Sequence, residues 1–356
     1  MKIITVVGAR PQFIKAAVVS RAFNQHKNIN ELIIHTGQHY DQNMSDIFFE
    51  EMSIPKPNFY LKVGGKTHGS MTGQMLEKIE EVLLQEKPHL VLVYGDTNST
   101  ISGALAAAKL HIPVAHVEAG LRSFNMSMPE EINRILTDKI SNVLFCPSET
   151  SKNNLLLEGT NTKKIEVVGD VMYDAVIYYL RKAVPSNNIK SLISKNYFLA
   201  TIHRAENTDN EINLSNIFEA LREISKLENI ILPLHPRTKK FIDTYNIDTQ
   251  GITLIEPVGY YDMLLLLNNS NGVFTDSGGL QKEAYFLSKP CITLRGETEW
   301  TETVDSGCNF ICGTDKHKII ASYEKNKTIN FDFTKNLYGN GDAGVLIAEK
   351  ILNSYS

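Results

Sequence analysis

Basic charge is in short supply: 36 lysines and arginines face 40 aspartates and glutamates, a net charge of -4. With a pI near 6.2, that balance argues against an extended nucleic-acid groove, so an anion must be captured by a local cluster of cations and backbone dipoles. Cysteine is scarce too. Cys146, Cys291, Cys308 and Cys312 lie in apolar or strand-like surroundings, and only the last two are close, without metal-pair spacing or nearby histidines. They read as buried thiols, not as a disulfide framework, and no His-Cys-Asp spacing suggests a metal site. No apolar run is long enough to span a membrane, and no low-complexity tract or short repeat is present. The N-terminal MKIITVVGARP lacks the longer apolar core and cleavage site of a secretion signal. It reads as a first strand, and a cytoplasmic protein is expected.

What the chain does have is alternation. Apolar, β-branched runs (KIITVVG, ELIIHTG, HLVLVYG, IPVAHVE, NVLFCPS) are separated by helix-length amphipathic stretches, the pattern of parallel strands with crossover helices on both faces. The pattern then starts again with IEVVGD, YFLATIHR, NIILPLHP, ITLIEP, GVFTDS and PCITLR. At 356 residues the chain suits two domains. The expected fold is α/β, with two doubly wound domains and an intervening cleft: residues 1–168 and residues 169–341. A terminal helix over residues 342–356 is expected to complete the first domain.

Chargeable residues collect at strand ends. HVEAGLRSFNMSMPEEINR, residues 116–134, brings Glu118, Glu130 and Glu131 with Arg122 and Arg134 directly after an apolar run. VLVYGDTNST delivers Asp96 to the end of another strand, and GARPQFIK follows the first with Arg10 and Lys15. Asp96 is also a good helix cap, and Glu130 and Glu131 are suitable first-turn acids after Pro129. Capping does not explain why three strand ends on one side of a sheet carry them, where open α/β sheets bind ligands. Several carboxyl groups in one cleft are what an acid and a base working together require. In the second half, TDSGGLQKEA starts a helix at Ser277, Gly278 and Gly279, whose backbone amides suit a phosphate, and Glu283 follows where a carboxylate can meet ribose hydroxyls. ATIHRAEN and LPLHPR add His203, Arg204, His235 and Arg237 at strand ends of the same domain. GARPQF is not the GxGxxG of a nicotinamide binder.

Taken together, GARPQFIK, HTGQHYD, GDTNST, HVEAGLRS, PEEINR, HRAEN and TDSGGLQKEA resemble, in order and along essentially the whole chain, the non-hydrolysing UDP-N-acetylglucosamine 2-epimerases. The resemblance implies two Rossmann-like domains in a glycosyltransferase-B-like (GT-B) fold, a UDP-sugar substrate held mainly by the second domain, a homodimer, and no cofactor or metal. It implies inversion at C2 by anti elimination of UDP to a 2-acetamidoglucal and re-addition, for surface-polysaccharide precursors. Asp96, Glu118 and Glu130 match the family's catalytic carboxylates and His203 its active-site histidine. Arg10, Lys15, residues 277–279 and Glu283 match substrate contacts, and Arg122 and His235, at strand ends, are added as candidate substrate contacts from the residues themselves. Two departures stand out: GARPQ replaces the usual GTRPE, and Trp300 in TEWTE stands where the family often has an arginine. Both resemble the branch acting on UDP-2,3-diacetamido-2,3-dideoxy-glucuronate, which shares SFNMxMPEEINR. Gln38, His39, Tyr40 and Asp41 fall where some members bind a second, activating substrate molecule, with Tyr40 and Asp41 differing in charge from those members. A hydrolysing 2-epimerase, a glycosyltransferase and a nucleotide-sugar sensor are the other readings.

Overall fold

The structure is a computed structural model that describes residues 1–38 and 56–355, the side chain of Arg10 excepted. The chain divides into two compact units, Met1–Ala175 with Leu337–Ser356, and Val176–Asn336.

In the first unit, strands β1 (Lys2–Val7), β2 (Asn30–His35), β3 (Phe59–Tyr60), β4 (Leu90–Tyr94), β5 (Val114–Val117), β6 (Val143–Cys146) and β7 (Ile165–Val167) form one sheet. Among the described residues their order is β3-β2-β1-β4-β5-β6-β7, and every adjoining pair is parallel. The order reverses direction between β1 and β4, so the connections leaving these two strands diverge and open a crevice at their carboxyl ends. β4, LVLVY, is buried at all five positions, as a central strand covered on both faces must be. Helices α1 (Arg10–Phe23), α2 (His68–Glu86), α3 (Asn98–Lys109), α4 (Pro129–Ile140), α5 (Glu149–Leu157) and α6 (Val171–Lys182) follow the strands. Thr97 caps α3 by accepting from the Thr100 amide, and Gln38 Oε1 accepts from the Ser99 amide at 3.0 Å, so two of its first amides are satisfied by side chains. His39, Tyr40 and Asp41 lie outside the described residues.

The second unit repeats the plan. It contains the short helix α7 (Asn187–Lys190), then β8 (Phe198–Thr201), α8 (Ala205–Thr208), α9 (Glu211–Ser225), β9 (Ile230–Pro233), α10 (Pro236–Tyr245), β10 (Ile252–Ile255), α11 (Tyr260–Asn269), β11 (Val273–Thr275), α12 (Gly278–Phe286), β12 (Cys291–Thr293), α13 (Thr301–Asp305), β13 (Asn309–Ile311) and α14 (Lys316–Asn326). The parallel order β10-β9-β8-β11-β12-β13 reverses between β8 and β11. Cores of Phe198, Phe218, Phe274 and Tyr323 on one face, and Tyr197, Leu266, Leu267 and Val273 on the other, seal the sheet.

Helix α15 (Ala343–Tyr355) belongs to the first unit, where it packs on α1. Asp174 anchors its start by accepting from the amides of Ala343 at 3.2 Å and Gly344 at 2.9 Å. One strand departs from the sequence pattern: IEVVGD, grouped there with the second run, supplies β7, which pairs with β6 in the first sheet. Periodicity marks a strand but not its partner. β3, from FY, and β13, from NFI, are not among the runs read from the sequence.

Candidate active site

The reversal between β1 and β4 collects the first group of side chains. Lys15, one turn into α1 and 7% exposed, donates to Glu118 Oε2, and Glu118 follows β5 with a left-handed φ of 71°. A non-glycine residue holds that conformation only where its surroundings fix it, and here the Lys15 ion pair does so. Gly95 sits against the pair. Its φ is 62°, and a Cβ there would lie 3.1 Å from Glu118 Oε2 and 3.2 Å from Lys15 Nζ, so only glycine lets the chain turn this close. The next residue, Asp96, accepts from Arg134 NH2 at 2.6 Å, while its carbonyl accepts from Asn133 Nδ2 at 2.9 Å. Arg134 therefore reaches back from α4 to the end of β4.

The two acids that open α4 do different things. Glu131, buried, accepts from the amides of Ser123 at 3.0 Å and Phe124 at 2.9 Å and from Arg134 at 2.8 Å. Burial pushes its carboxyl up, but these donors more than reverse that and hold it below the ordinary carboxylate range. It ties the 118–128 loop to the helix. Glu130 is half-exposed and makes no ion pair among the described residues. Arg122, expected to face substrate, is instead buried. Its guanidinium grips Glu158 at 2.6 and 2.9 Å and Asp138 at 2.8 Å, because a charge sealed off from water must find counter-charges inside. Asp138 also meets His116 Nδ1 at 2.7 Å, and His116 Nε2 lies 2.7 Å from the Gly95 carbonyl.

In the second unit, fully buried Asp276 organises the loop after β8. It accepts from the amides of His203 at 3.0 Å and Arg204 at 3.0 Å and from Asn207 Nδ2 at 3.0 Å, with His203 Nδ1 at 3.4 Å. His203 and His235 lie with ring centroids 5.8 Å apart. Burial drives the His203 imidazole below its ordinary range, assisted by Arg204 and His235 and opposed by Asp276, so it is neutral near pH 7. His235 Nδ1 accepts from the Arg237 amide at 3.2 Å, capping α10. Ser277 caps α12, and its amide donates to Thr275 Oγ1 at 2.9 Å. Neither Gly278 nor Gly279 is required by the protein's own packing: a Cβ on Gly278 would meet nothing nearer than 3.6 Å and one on Gly279 nothing within 4 Å. Glu283, buried on the same helix, accepts from Tyr260 OH at 3.3 Å. Beside it, buried Lys282 places Nζ 3.9 Å from the Trp300 ring centroid, so a positive charge is retained where Trp300 takes the place of an arginine. Among the described residues no cluster of three or more His, Cys, Asp or Glu side chains is placed to hold a metal ion.

Sequence reasoning gave no site role to Arg134, His116, Asp138 or Asp276. A signal existed for one of them: Glu131 and Arg134 are spaced i,i+3 on a helix, which puts them side by side. Asp138 and Asp276 reach their partners through tertiary contacts that no spacing announces.

Two Rossmann-like parallel units, one carrying cation-paired acids at its strand ends and the other an open helix start, are the architecture of GT-B-type enzymes of nucleotide-linked sugars. The sequence profile of the UDP-N-acetylglucosamine 2-epimerase family matches residues 21–352, and the chain belongs to that family. The UDP-2,3-diacetamido-2,3-dideoxy-D-glucuronate 2-epimerase of Pseudomonas aeruginosa is 53% identical over 98% of this chain and 99% of its own length. The UDP-N-acetylglucosamine 2-epimerase of Methanocaldococcus jannaschii is 49% identical over 97% of each chain. Its crystal structure in complex with UDP-GlcNAc and UDP superposes with a TM-score of 0.90, covering 99% of this chain and 100% of that one.

Proposed function

We propose that the protein inverts C2 of a UDP-linked 2-acetamido sugar by anti elimination and re-addition. A base removes the C2 proton, the C1–O bond breaks with UDP as leaving group, and the 2-acetamidoglucal so formed takes UDP back at C1 and a proton at C2 from the opposite face. The C2 proton is so weakly acidic that its removal and the departure of UDP must be assisted together. The observation that carries this reading is the grouping of Asp96 and Glu118 around Gly95, each with its own cation, while Glu130, at the start of α4, makes no ion pair among the described residues. Asp96, Glu118 and Glu130 supply the acid and base. In the first unit Lys15, on Glu118, adds a cation to that group, and Arg10 is proposed as a further substrate contact, its side chain lying outside the described residues. In the second, the amides of residues 277–279 bind the diphosphate, neutral His203 and His235 donate to it, and Glu283 accepts from the ribose. Turnover in heavy water should place deuterium at C2, and product that keeps its original C2 proton would overturn the elimination route.

The diacetamido-uronate substrate is a second reading, supported by the Pseudomonas aeruginosa relative at 53% identity. A C6 carboxylate calls for an available cation. Arg122 is spent on Asp138 and Glu158, whereas the Arg204 guanidinium makes no ion pair among the described residues and its Nε is buried without a hydrogen-bond partner. Side-by-side turnover of the mono-acetamido and the diacetamido-uronic sugar decides between them. We further propose a homodimer, joined through the apolar residues exposed on and before α4: Phe124, Met126, Ile132 and Leu136.

A further inference from the structure

The His116 ring is fully buried between two acceptors. Nε2 lies 2.7 Å from the Gly95 carbonyl oxygen, which can only accept, so Nε2 carries a proton. Nδ1 lies 2.7 Å from Asp138 Oδ1. The other oxygen of Asp138 accepts from the Gly120 amide at 3.1 Å and from Arg122 NH1 at 2.8 Å. A carboxyl surrounded by donors has no need of a proton of its own, and although burial pushes Asp138 up, His116 and Arg122 hold it below the ordinary range. Nδ1 therefore faces an acceptor too. The alternation His116, Asp138, Arg122, Glu158 runs plus, minus, plus, minus, and it lets a doubly protonated ring stay out of water because each charge touches its opposite.

The recipient of that charge is the peptide joining Gly95 to Asp96. The Gly95 amide donates to the Val117 carbonyl at 3.0 Å, so the turn is held from both sides. A trans peptide points its N–H opposite to its C=O. With the Gly95 carbonyl turned inward to His116, the Asp96 N–H points the other way, and it makes no hydrogen bond among the described residues. A cation on the carbonyl polarises the peptide and strengthens the N–H as a donor.

We infer that His116 is a positioning residue: a buried imidazolium, held by Asp138, that fixes the Gly95–Asp96 peptide and turns the strengthened Asp96 N–H toward an oxygen of the reacting sugar beside the Asp96 carboxylate. The role rests on the epimerase reading and adds to it a backbone donor, the Asp96 N–H, beside the Asp96 carboxylate. A histidine that merely ties β4, β5 and α4 together would affect stability without separating kcat from KM.

The test has two arms on the full-length protein. Nitrogen-15 NMR of histidine-labelled protein at neutral pH, with His116 assigned by loss of its signals in His116→Gln, should show protons on both ring nitrogens; a bare nitrogen overturns the inference. In the second arm, His116→Gln and Asp138→Asn are compared with wild type in UDP-sugar turnover, UDP affinity and thermal unfolding. We expect kcat to fall at least about tenfold, with KM and UDP affinity within about twofold, in folded variants. A folded His116→Gln with unchanged kcat overturns the inference. If both variants fail to fold, His116 is assigned by elimination against single substitutions of the other nine histidines, and a bare ring nitrogen still overturns the inference. Absence of epimerisation by the wild type itself would instead remove the epimerase reading and leave the spectrum to be judged separately.

Discussion

Asp96 meets Arg134 and Glu118 meets Lys15, so the two acids beside Gly95 are each oriented by a cation and not left to repel one another. Names of residue types exposed these acids to a sequence reading, since so many chargeable groups after a buried strand need partners or work. The same reading set Arg122 beside the substrate and gave Arg134 no role, because a sequence shows that arginines are present but not which acid each one meets. The glycines at α12 argue from the opposite direction. Gly279 is exposed, has ordinary backbone angles and open space where its Cβ would be, so the fold has no use for its lack of a side chain. Gly279→Ala should keep or raise thermal stability by up to about 1 kcal/mol, as alanine is the better helix former. It should weaken UDP binding at least about tenfold in calorimetry by blocking approach to the amides. Unchanged UDP affinity would remove residues 277–279 from the diphosphate site.

At the scale of elements, β1, β2, β4 and α1 enclose a polar cluster unconnected with the carboxyl ends of the strands. Thr5 Oγ1 donates to Glu31 Oε1 at 2.5 Å, while Glu31 Oε2, Ser20 Oγ and Tyr94 OH are buried without hydrogen-bond partners. Burial pushes the Glu31 carboxyl up to about 7 against an ordinary 4.5, more than the Thr5 hydroxyl can offset. The sign follows from where the proton sits. The folded protein keeps it up to about 7 and the unfolded chain releases it near 4.5, so the stability tied to Glu31 is full below 4.5 and lost as pH rises to about 7. A gap of that size corresponds to about 3 kcal/mol in all, most of it between about pH 5 and pH 8. The stability of Glu31→Gln relative to wild type should therefore improve by most of that amount between about pH 5 and pH 8 in urea unfolding. A pH-independent difference would show that Glu31 is ionised throughout. Sequence periodicity marked β2 correctly but took no notice of Glu31, because a glutamate at the exposed-looking start of a strand carries no sign of what will cover it.

On the scale of the whole molecule, the chain makes a parallel Rossmann-like unit, passes through a second, and returns to lay α15 on α1. Among the described residues no helix is long and apolar enough to cross a membrane, yet Phe124 is 75% and Leu136 48% exposed. That apolar face carries the dimer proposal. Sedimentation of the wild type should give twice the 39.9 kDa of one chain, and Ile132→Glu with Leu136→Glu should give the monomer, since burying two carboxylates in an interface costs far more than the apolar contact returns. A monomeric wild type would end the proposal.

What the sequence alone determined was the alternation of strands and helices, the two parallel sheets it implies, and the loops at which acids, histidines and glycines gather. Those features are local, set by periodicity, β-branching and helix-start chemistry within short spans of chain. Tertiary structure alone decided that IEVVGD joins the first sheet, that Glu131 and Arg122 turn inward while Glu130 stays half-exposed, and that His116 is clamped between Asp138 and the Gly95 carbonyl. Strand partnership and charge pairing depend on which distant groups are brought within about 3 Å of one another, and that distance is a property of the folded chain and not of any stretch of it.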